Sequence, residues 1–168
     1  FFFDLADPEK RSSEDLAKVL EQIKTLGKKT ECILGLNLRE AEQVSKVLGI
    51  REEPEDRAPG VEDASIRIRE VLDIHGVVVH AVKFAGASIG DEHAGIEGPF
   101  CPSPKLSTGA GDHFNGGFCG GLLADLPVRE ALYVGVGTSG WYVRNGRSPT
   151  LDDVVGLLKN WASGNLKD

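Results

Sequence analysis

The segment Lys105-Leu-Ser-Thr-Gly-Ala-Gly-Asp-His-Phe-Asn-Gly-Gly-Phe118 places a glycine turn, a helix start and a carboxylate close together in the chain. Gly109 and Gly111 allow a sharp turn and a close approach of backbone to ligand. From Gly111 onward the composition is that of a helix opening, whose first N–H groups have no partner within the helix and would face an anion. Asp112 stands at the mouth of that helix, where its charge would repel a phosphate unless it contributed something else. Accepting a proton from an attacking hydroxyl is that contribution, so the segment reads as a phosphoryl-transfer site with Asp112 as general base. A glycine turn that serves close packing alone is the plainer alternative. A dinucleotide-binding turn fits less well. Its third small residue would fall at Phe114, and the preceding Cys101-Pro102-Ser103-Pro104 is not a buried strand.

Such a turn needs a rigid frame, and the hydrophobic spacing outlines one. The apolar opening Phe1-Phe2-Phe3 leads into Asp4 as a strand. Ser12 or Ser13 then caps a helix carrying Leu16, Val19, Leu20, Ile23 and Leu26, with Gly27 as its stop. A strand over Cys32 to Leu36 is followed by a helix with Leu38, Ala41, Val44, Val47 and Leu48 on one face, ending at Gly49. Arg51 to Gly60 reads as a charged loop, a third helix is predicted from about Val61 to Asp73, and Val77 to Val79 reads as a buried strand. Strand and helix in alternation predict a mainly parallel sheet covered on both faces. From Lys83 to Pro99 short alternating runs broken by glycines predict antiparallel edge strands, so the sheet should be mixed. The helix opened at Gly111 should end near Asp125. Another is predicted from Val128 to Asn145, and a last one is capped by Thr150 with Asp153, burying Val154, Leu157, Leu158 and Trp161. Gly135, Gly137 and Gly140 permit close approach, of a neighbouring helix or of a nucleotide.

Bulk properties narrow the choice of partner. The 168 residues, 40% hydrophobic, suffice for one core, and the mean hydropathy is −0.16. With 19 basic and 26 acidic residues the formal charge is 19 − 26 = −7. No basic run occurs, which disfavours a nucleic-acid backbone or an anionic membrane as partner. Cys32, Cys101 and Cys119 form no metal pattern and cannot all pair, which favours a reducing compartment. With no apolar run of membrane-spanning length and no signal peptide, the cytoplasm is expected. The chain contains no methionine and opens on three phenylalanines. It is therefore expected to be a portion of a longer protein.

Thr108-Gly-Ala-Gly-Asp112, followed by Phe114, Gly116-Gly117 and Phe118, resembles the signature of the ribokinase-like (PfkB) carbohydrate and nucleoside kinases. The resemblance implies a three-layer α/β/α, ribokinase-like half-domain with a mainly parallel sheet and antiparallel edge strands. Residues 1–168 would form the C-terminal portion of a single kinase domain whose N-terminal half and lid lie upstream. It further implies transfer of the ATP γ-phosphoryl group to a hydroxyl of a sugar or nucleoside, with Mg2+ as cofactor. Thr108, Gly109, Ala110 and Gly111 would hold the transferring phosphate and Asp112 would deprotonate the acceptor. Asn115 and Gly137 are further candidate site residues. Lid strands, which often form a dimer contact in such kinases, would lie in the upstream half. A non-catalytic nucleotide or carbohydrate sensor on the same fold is the alternative.

Asn37-Leu-Arg-Glu40 resembles the Asn-x-x-Glu element of the same kinases, which helps hold magnesium and phosphate, often through water. Its spacing equally fits a capping box, and the two roles are compatible. Asp4 and Asp7 fall at the end of the first strand, with Lys10 and Arg11 after them, where ligands gather in open parallel sheets. Related kinases can bring an acidic residue from here to the magnesium region, and Asp4 is the candidate; a turn or capping role serves either aspartate as well. Two departures from the family pattern stand out. Leu106 occupies a position where many members carry aspartate, which removes a carboxylate tied to monovalent cations. His80-Ala81-Val82 stands where many have Thr-x-Gly, so one phosphate contact is absent or is replaced through His80 and Lys83, and a structural role is the plainer reading of His80. His75, His93 and His113 show no metal spacing and read as surface or hydrogen-bonded residues.

Overall fold

The structure is a computed structural model and describes residues 1–5 and 12–166. Asp7, Lys10 and Arg11, named above at the first strand end, lie outside the described residues. The chain divides into two compact units, Phe1–Gly95 and Ile96–Asp168.

The first unit is built on β1 (Phe2–Asp4), α1 (Ser13–Gly27), β2 (Ile33–Asn37), α2 (Leu38–Leu48), α3 (Ala58–Leu72), β3 (Gly76–His80), β4 (Phe84–Ile89) and most of β5 (Glu92–Glu97). The five strands lie side by side in chain order. β1 pairs with β2 and β2 with β3 in parallel, whereas β3 and β4 are antiparallel, so the sheet is mixed as expected. Leu34 and Leu36 of β2 and Val77 and Val79 of β3 point to one face, where they meet Leu16, Leu20 and Ile23 of α1, Ala41 and Val44 of α2, and Val61, Ala64 and Ile68 of α3. Each such side chain contributes roughly 1.5–3 kcal/mol on burial. Val78, on the opposite face, is likewise fully buried. β3 is thus apolar on both sides, which is why it reads as a continuous hydrophobic run rather than an alternating one.

Local signals fix the element ends. Ser12 caps α1, its hydroxyl accepting from the Asp15 N–H, and Gly49 closes α2 at φ 73°. Two boundaries differ from the sequence reading. Gly27 is the last residue of α1, and the cap is Lys28 in a right-handed conformation. Gly27 is small because a Cβ there would lie 2.9 Å from Cγ2 of Ile74. α3 begins at Ala58 rather than Val61, with Pro59 in its first turn, a position where the missing N–H costs nothing. Asp73, in the left-handed region at φ 51°, ends it.

The second unit contains α4 (Ala110–Leu123), α5 (Val128–Asn145) and α6 (Leu151–Ala162). α4 and α5 are antiparallel and unusually close. A Cβ on Gly117 would lie 2.8 Å from the Val134 carbonyl oxygen, one on Gly121 2.8 Å from Cα of Ala131, and one on Gly135 2.9 Å from Cε2 of Phe114. α6 buries Val154 and Leu157, while Leu158 and Trp161 remain half-buried rather than buried. Thr150 and Asp153 form a reciprocal capping box, with the Thr150 N–H donating to Asp153 Oδ2 at 2.9 Å and the Asp153 N–H to Thr150 Oγ1 at 3.2 Å.

Two expected outcomes follow. Gly86→Ala should destabilise the first unit by about 3 kcal/mol, because the new Cβ would sit 2.6 Å from the Val61 carbonyl carbon, against a helix backbone that has no rotamer to give. Urea titration reads that change. The Thr150 N–H, together with the Thr150 hydroxyl and the Arg147 charge, holds the Asp153 carboxyl below its ordinary pKa. Its stabilising effect is therefore present above the unfolded carboxylate pKa of about 3.9 and is lost as pH falls through the lower folded value. The Tm gap between wild type and Asp153→Asn should be open near pH 6 and close as the solution is taken toward about pH 2.

Candidate active site

The second unit holds the glycine turn. Gly109 has φ 86° and ψ 2°, the geometry of the third residue of a type II turn. The turn is closed by the Ala110 N–H, which donates to the Ser107 carbonyl at 3.1 Å. The Ala110 N–H, expected to face a phosphate, is engaged here in closing the turn. The N–H groups of Gly109, Gly111 and Asp112 donate to no group among the described residues. Gly111 and Asp112 lie in the first turn of α4, where the helix dipole favours an anion. Asp112 is exposed, and Thr108 is exposed beside it.

The chain leading to the turn is strapped to the last turn of α5. The Val143 carbonyl, free of an intrahelical partner so near the helix end, accepts from the N–H groups of Lys105 at 2.8 Å and Leu106 at 3.4 Å. Arg144 donates to the carbonyls of Pro99 at 2.9 Å and Phe100 at 2.7 Å. Gly140 admits this approach, since a Cβ there would lie 2.8 Å from Cγ of Pro99. Beyond the strap, the Tyr142 hydroxyl donates to the Thr108 carbonyl at 2.8 Å. His113 Nδ1 lies 2.7 Å from the Gly109 carbonyl oxygen and Nε2 lies 2.9 Å from Ser148 Oγ. The sequence reading took His113 as a hydrogen-bonded residue, which it is. Tyr142 and Ser148 had no sequence signal that tied them to the turn.

Asn115 lies in α4 with Asp112, and Gly137 lies in α5. Asn115 is buried in α4, at 7% exposure. Gly137 faces α6, where a Cβ would lie 3.0 Å from Cγ of Leu158 and 3.1 Å from Cγ1 of Val154. Packing accounts for that glycine, as it does for Gly135 and Gly140.

In the first unit, β1, β2 and β3 run parallel and end in Asp4, Asn37 and His80, so these residues share the carboxyl edge of the parallel strands. Asp4 is exposed there. Asn37 and Glu40 form the anticipated capping box. Asn37 Oδ1 accepts from the Glu40 N–H at 3.0 Å and Glu40 Oε2 from the Asn37 N–H at 2.8 Å. Glu40 is 8% exposed, which ties a carboxylate rigidly to the strand end. His80 is half-buried in register with Asn37, and Lys83 is exposed in the turn that follows. Among the described residues no three His, Cys, Asp or Glu side chains converge as a metal cage, and no helix is long and apolar enough to cross a membrane.

A family profile described as prokaryotic ketohexokinase matches residues 1–161. The chain is 29% identical over 170 residues to a ketohexokinase of Haloferax volcanii, an alignment that covers 97% of this chain and 41% of that protein. Among solved structures, the ribokinase of Cryptococcus neoformans var. grubii serotype A in complex with ADP is similar at a TM-score of 0.70 and 20% identity, over 92% of this chain and 51% of that one. A ribokinase of Thermotoga maritima is similar at a TM-score of 0.65 and 24% identity, over 95% and 48%. The chain thus spans about half the length of these proteins or less. The structural likeness bears out the three-layer α/β/α, ribokinase-like fold class expected from the sequence.

Gly109→Ala should destabilise the protein by about 1–2 kcal/mol, because the left-handed φ is strained for any residue with a Cβ. Gly116→Ala, seven residues on, at an exposed helical position with nothing within 4 Å of the added carbon, should stabilise it by about 0.5–1 kcal/mol. Opposite signs in parallel urea titrations would confirm that the turn, rather than glycine content, sets the requirement.

Proposed function

The chain belongs to the prokaryotic ketohexokinase family, and from that membership we propose that it is the C-terminal portion of an ATP-dependent carbohydrate kinase. The acceptor is a ketohexose, as the family's description suggests, and the upstream portion supplies most of its contacts. The observation that carries the reading is the glycine turn. Beside its closing bond, the Gly109, Gly111 and Asp112 N–H groups have no partner among the described residues, at a helix start that also bears the Asp112 carboxylate.

Phosphoryl transfer asks the protein for position and charge stabilisation rather than covalent chemistry. The three N–H groups, fixed before the substrate arrives, stabilise the negative charge on the transferring group without reorganising. The Asp112 carboxylate accepts the proton of the acceptor hydroxyl as its oxygen bonds to the γ-phosphorus. The bond from that phosphorus to the bridging oxygen breaks, and ADP leaves. A bound magnesium would supply charge neutralisation on the phosphate oxygens, which a chain of net charge −7 needs. Asn37 and Glu40 suit it as hard oxygen donors. Because Asn37 Oδ1 and Glu40 Oε2 are already engaged in the capping box, they would hold its hydration shell rather than replace it. Asp4 shares their sheet edge and would act with them. The three cysteines are unpaired, which suits the reducing cytoplasm as the compartment.

In the full-length protein Asp112→Asn should lower turnover with ATP and a ketohexose by roughly 10²-fold or more, while the fold and ADP binding persist. Wild-type turnover in the variant would remove Asp112 from the mechanism. ADP binding without turnover in the wild type, across a panel of sugars and nucleosides, would favour the sensor reading instead.

A further inference from the structure

We propose that His113 and Tyr142 form a stacked clamp that presets the glycine turn for a nucleotide phosphate, acting as positioning residues for the site proposed above and resting on that reading. The two rings lie nearly parallel, 14° apart, with centroids 3.7 Å from each other. Tyr142 is buried at 8% exposure on α5, while His113 rises from the first turns of α4, so the stack joins the two helices at the level of the turn.

Each ring holds one carbonyl of the turn, and they are consecutive ones. The Tyr142 hydroxyl donates to the Thr108 carbonyl at 2.8 Å, and His113 Nδ1 donates to the Gly109 carbonyl at 2.7 Å. A carbonyl oxygen only accepts, so Nδ1 carries the proton; in the neutral ring Nε2 then accepts from the Ser148 hydroxyl at 2.9 Å. The Gly109 carbonyl thus sets the tautomer, and the Ser148 hydroxyl, able to donate, accommodates it.

The consequence lies in the planarity of the peptide unit. In a trans peptide the C=O and the following N–H point in opposite directions, so a donor that fixes the carbonyl also fixes the N–H. Tyr142, by holding the Thr108 carbonyl, aims the Gly109 N–H away from the α5 side. The Gly109 carbonyl accepts from the His113 ring and also from the His113 backbone N–H, at 3.1 Å, and with the carbonyl so held the Ala110 N–H points at Ser107, which closes the turn. A turn locked in this way loses little conformational entropy when an anion binds. The clamp also explains why a Cβ is unwelcome at Gly109 beyond its φ: it would lie 3.2 Å from the Tyr142 hydroxyl oxygen.

The test uses the full-length protein with Tyr142→Phe, His113→Ala and His113→Asn. Tyr142→Phe keeps the stack and deletes only the bond to Thr108. His113→Asn keeps a short side-chain donor in place of Nδ1. The expected result is a roughly tenfold loss of kcat/KM for ATP in Tyr142→Phe and His113→Ala, with partial recovery in His113→Asn. The KM of the sugar should stay within about twofold, a split that general loosening of the fold would not give. Equal changes in both KM values, or no change in folded variants, would overturn the clamp. ADP titration calorimetry separates this from the kinase reading. If the wild type turns over no sugar, weaker ADP binding in Tyr142→Phe than in wild type still supports the clamp. Equal ADP affinity in the two proteins, or no ADP binding by either, overturns it.

Discussion

The last turn of α5 is the constraint on which the site depends. A helix ends with carbonyls that its own backbone cannot satisfy. Here the Val143 carbonyl takes the N–H groups of Lys105 and Leu106, while the flanking side chains Tyr142 and Arg144 take three carbonyls from the same incoming segment. Three consecutive residues thus satisfy the polar groups of a stretch that has no strand or helix of its own. The segment between Pro99 and Thr108 is consequently laid along α5 and delivers the glycine turn to a defined place at the start of α4.

That arrangement works only because α4 and α5 approach closely. Gly117, Gly121 and Gly135 give up side chains so that the two backbones come together, which brings His113 within stacking distance of Tyr142. In the first unit a different economy operates. Asn37 and Glu40 spend their side chains on capping α2, and the same bonds hold two oxygen-bearing groups at the carboxyl edge of the parallel strands. Capping and ligand binding want the same geometry at a strand-to-helix junction: a rigid polar group pointing at the end of the sheet.

Much of this was legible in the sequence, and the exceptions have physical causes. The helix faces of α1 and α2 followed from apolar spacing, and both capping boxes from residues three apart. The start of α3 was placed late because Pro59 and Gly60 read as loop residues, although proline belongs in a first helical turn and Gly60 is required by its contact with Glu55. Ser107-Thr-Gly-Ala110 is the pattern of a type II turn, whose closing donor is the fourth residue, and this engages the Ala110 N–H in a way the motif alone does not announce. Gly135, Gly137 and Gly140 were equally consistent with packing and with nucleotide contact. Their neighbours Phe114, Leu158 and Pro99 come from three different segments that no local pattern specifies. The contact between Tyr142 and Thr108 spans 34 residues and depends on the helix register that those glycines set, so it lay beyond any reading of spacing.

Five of the fourteen residues of α4 are glycine. Against alanine, each costs a helix interior roughly 0.8–1.0 kcal/mol, so those inside α4 together cost it several kcal/mol, more than a short helix recovers in water. α4 should therefore have no existence apart from its partner. It becomes helical when it docks on α5, a segment made later by the ribosome. Until then the turn, the Asp112 carboxylate and the anion-facing N–H groups are unassembled chain. Assembly of the turn is thereby tied to synthesis of α5, and a nascent or truncated product that ends before α5 would carry the motif as unfolded chain.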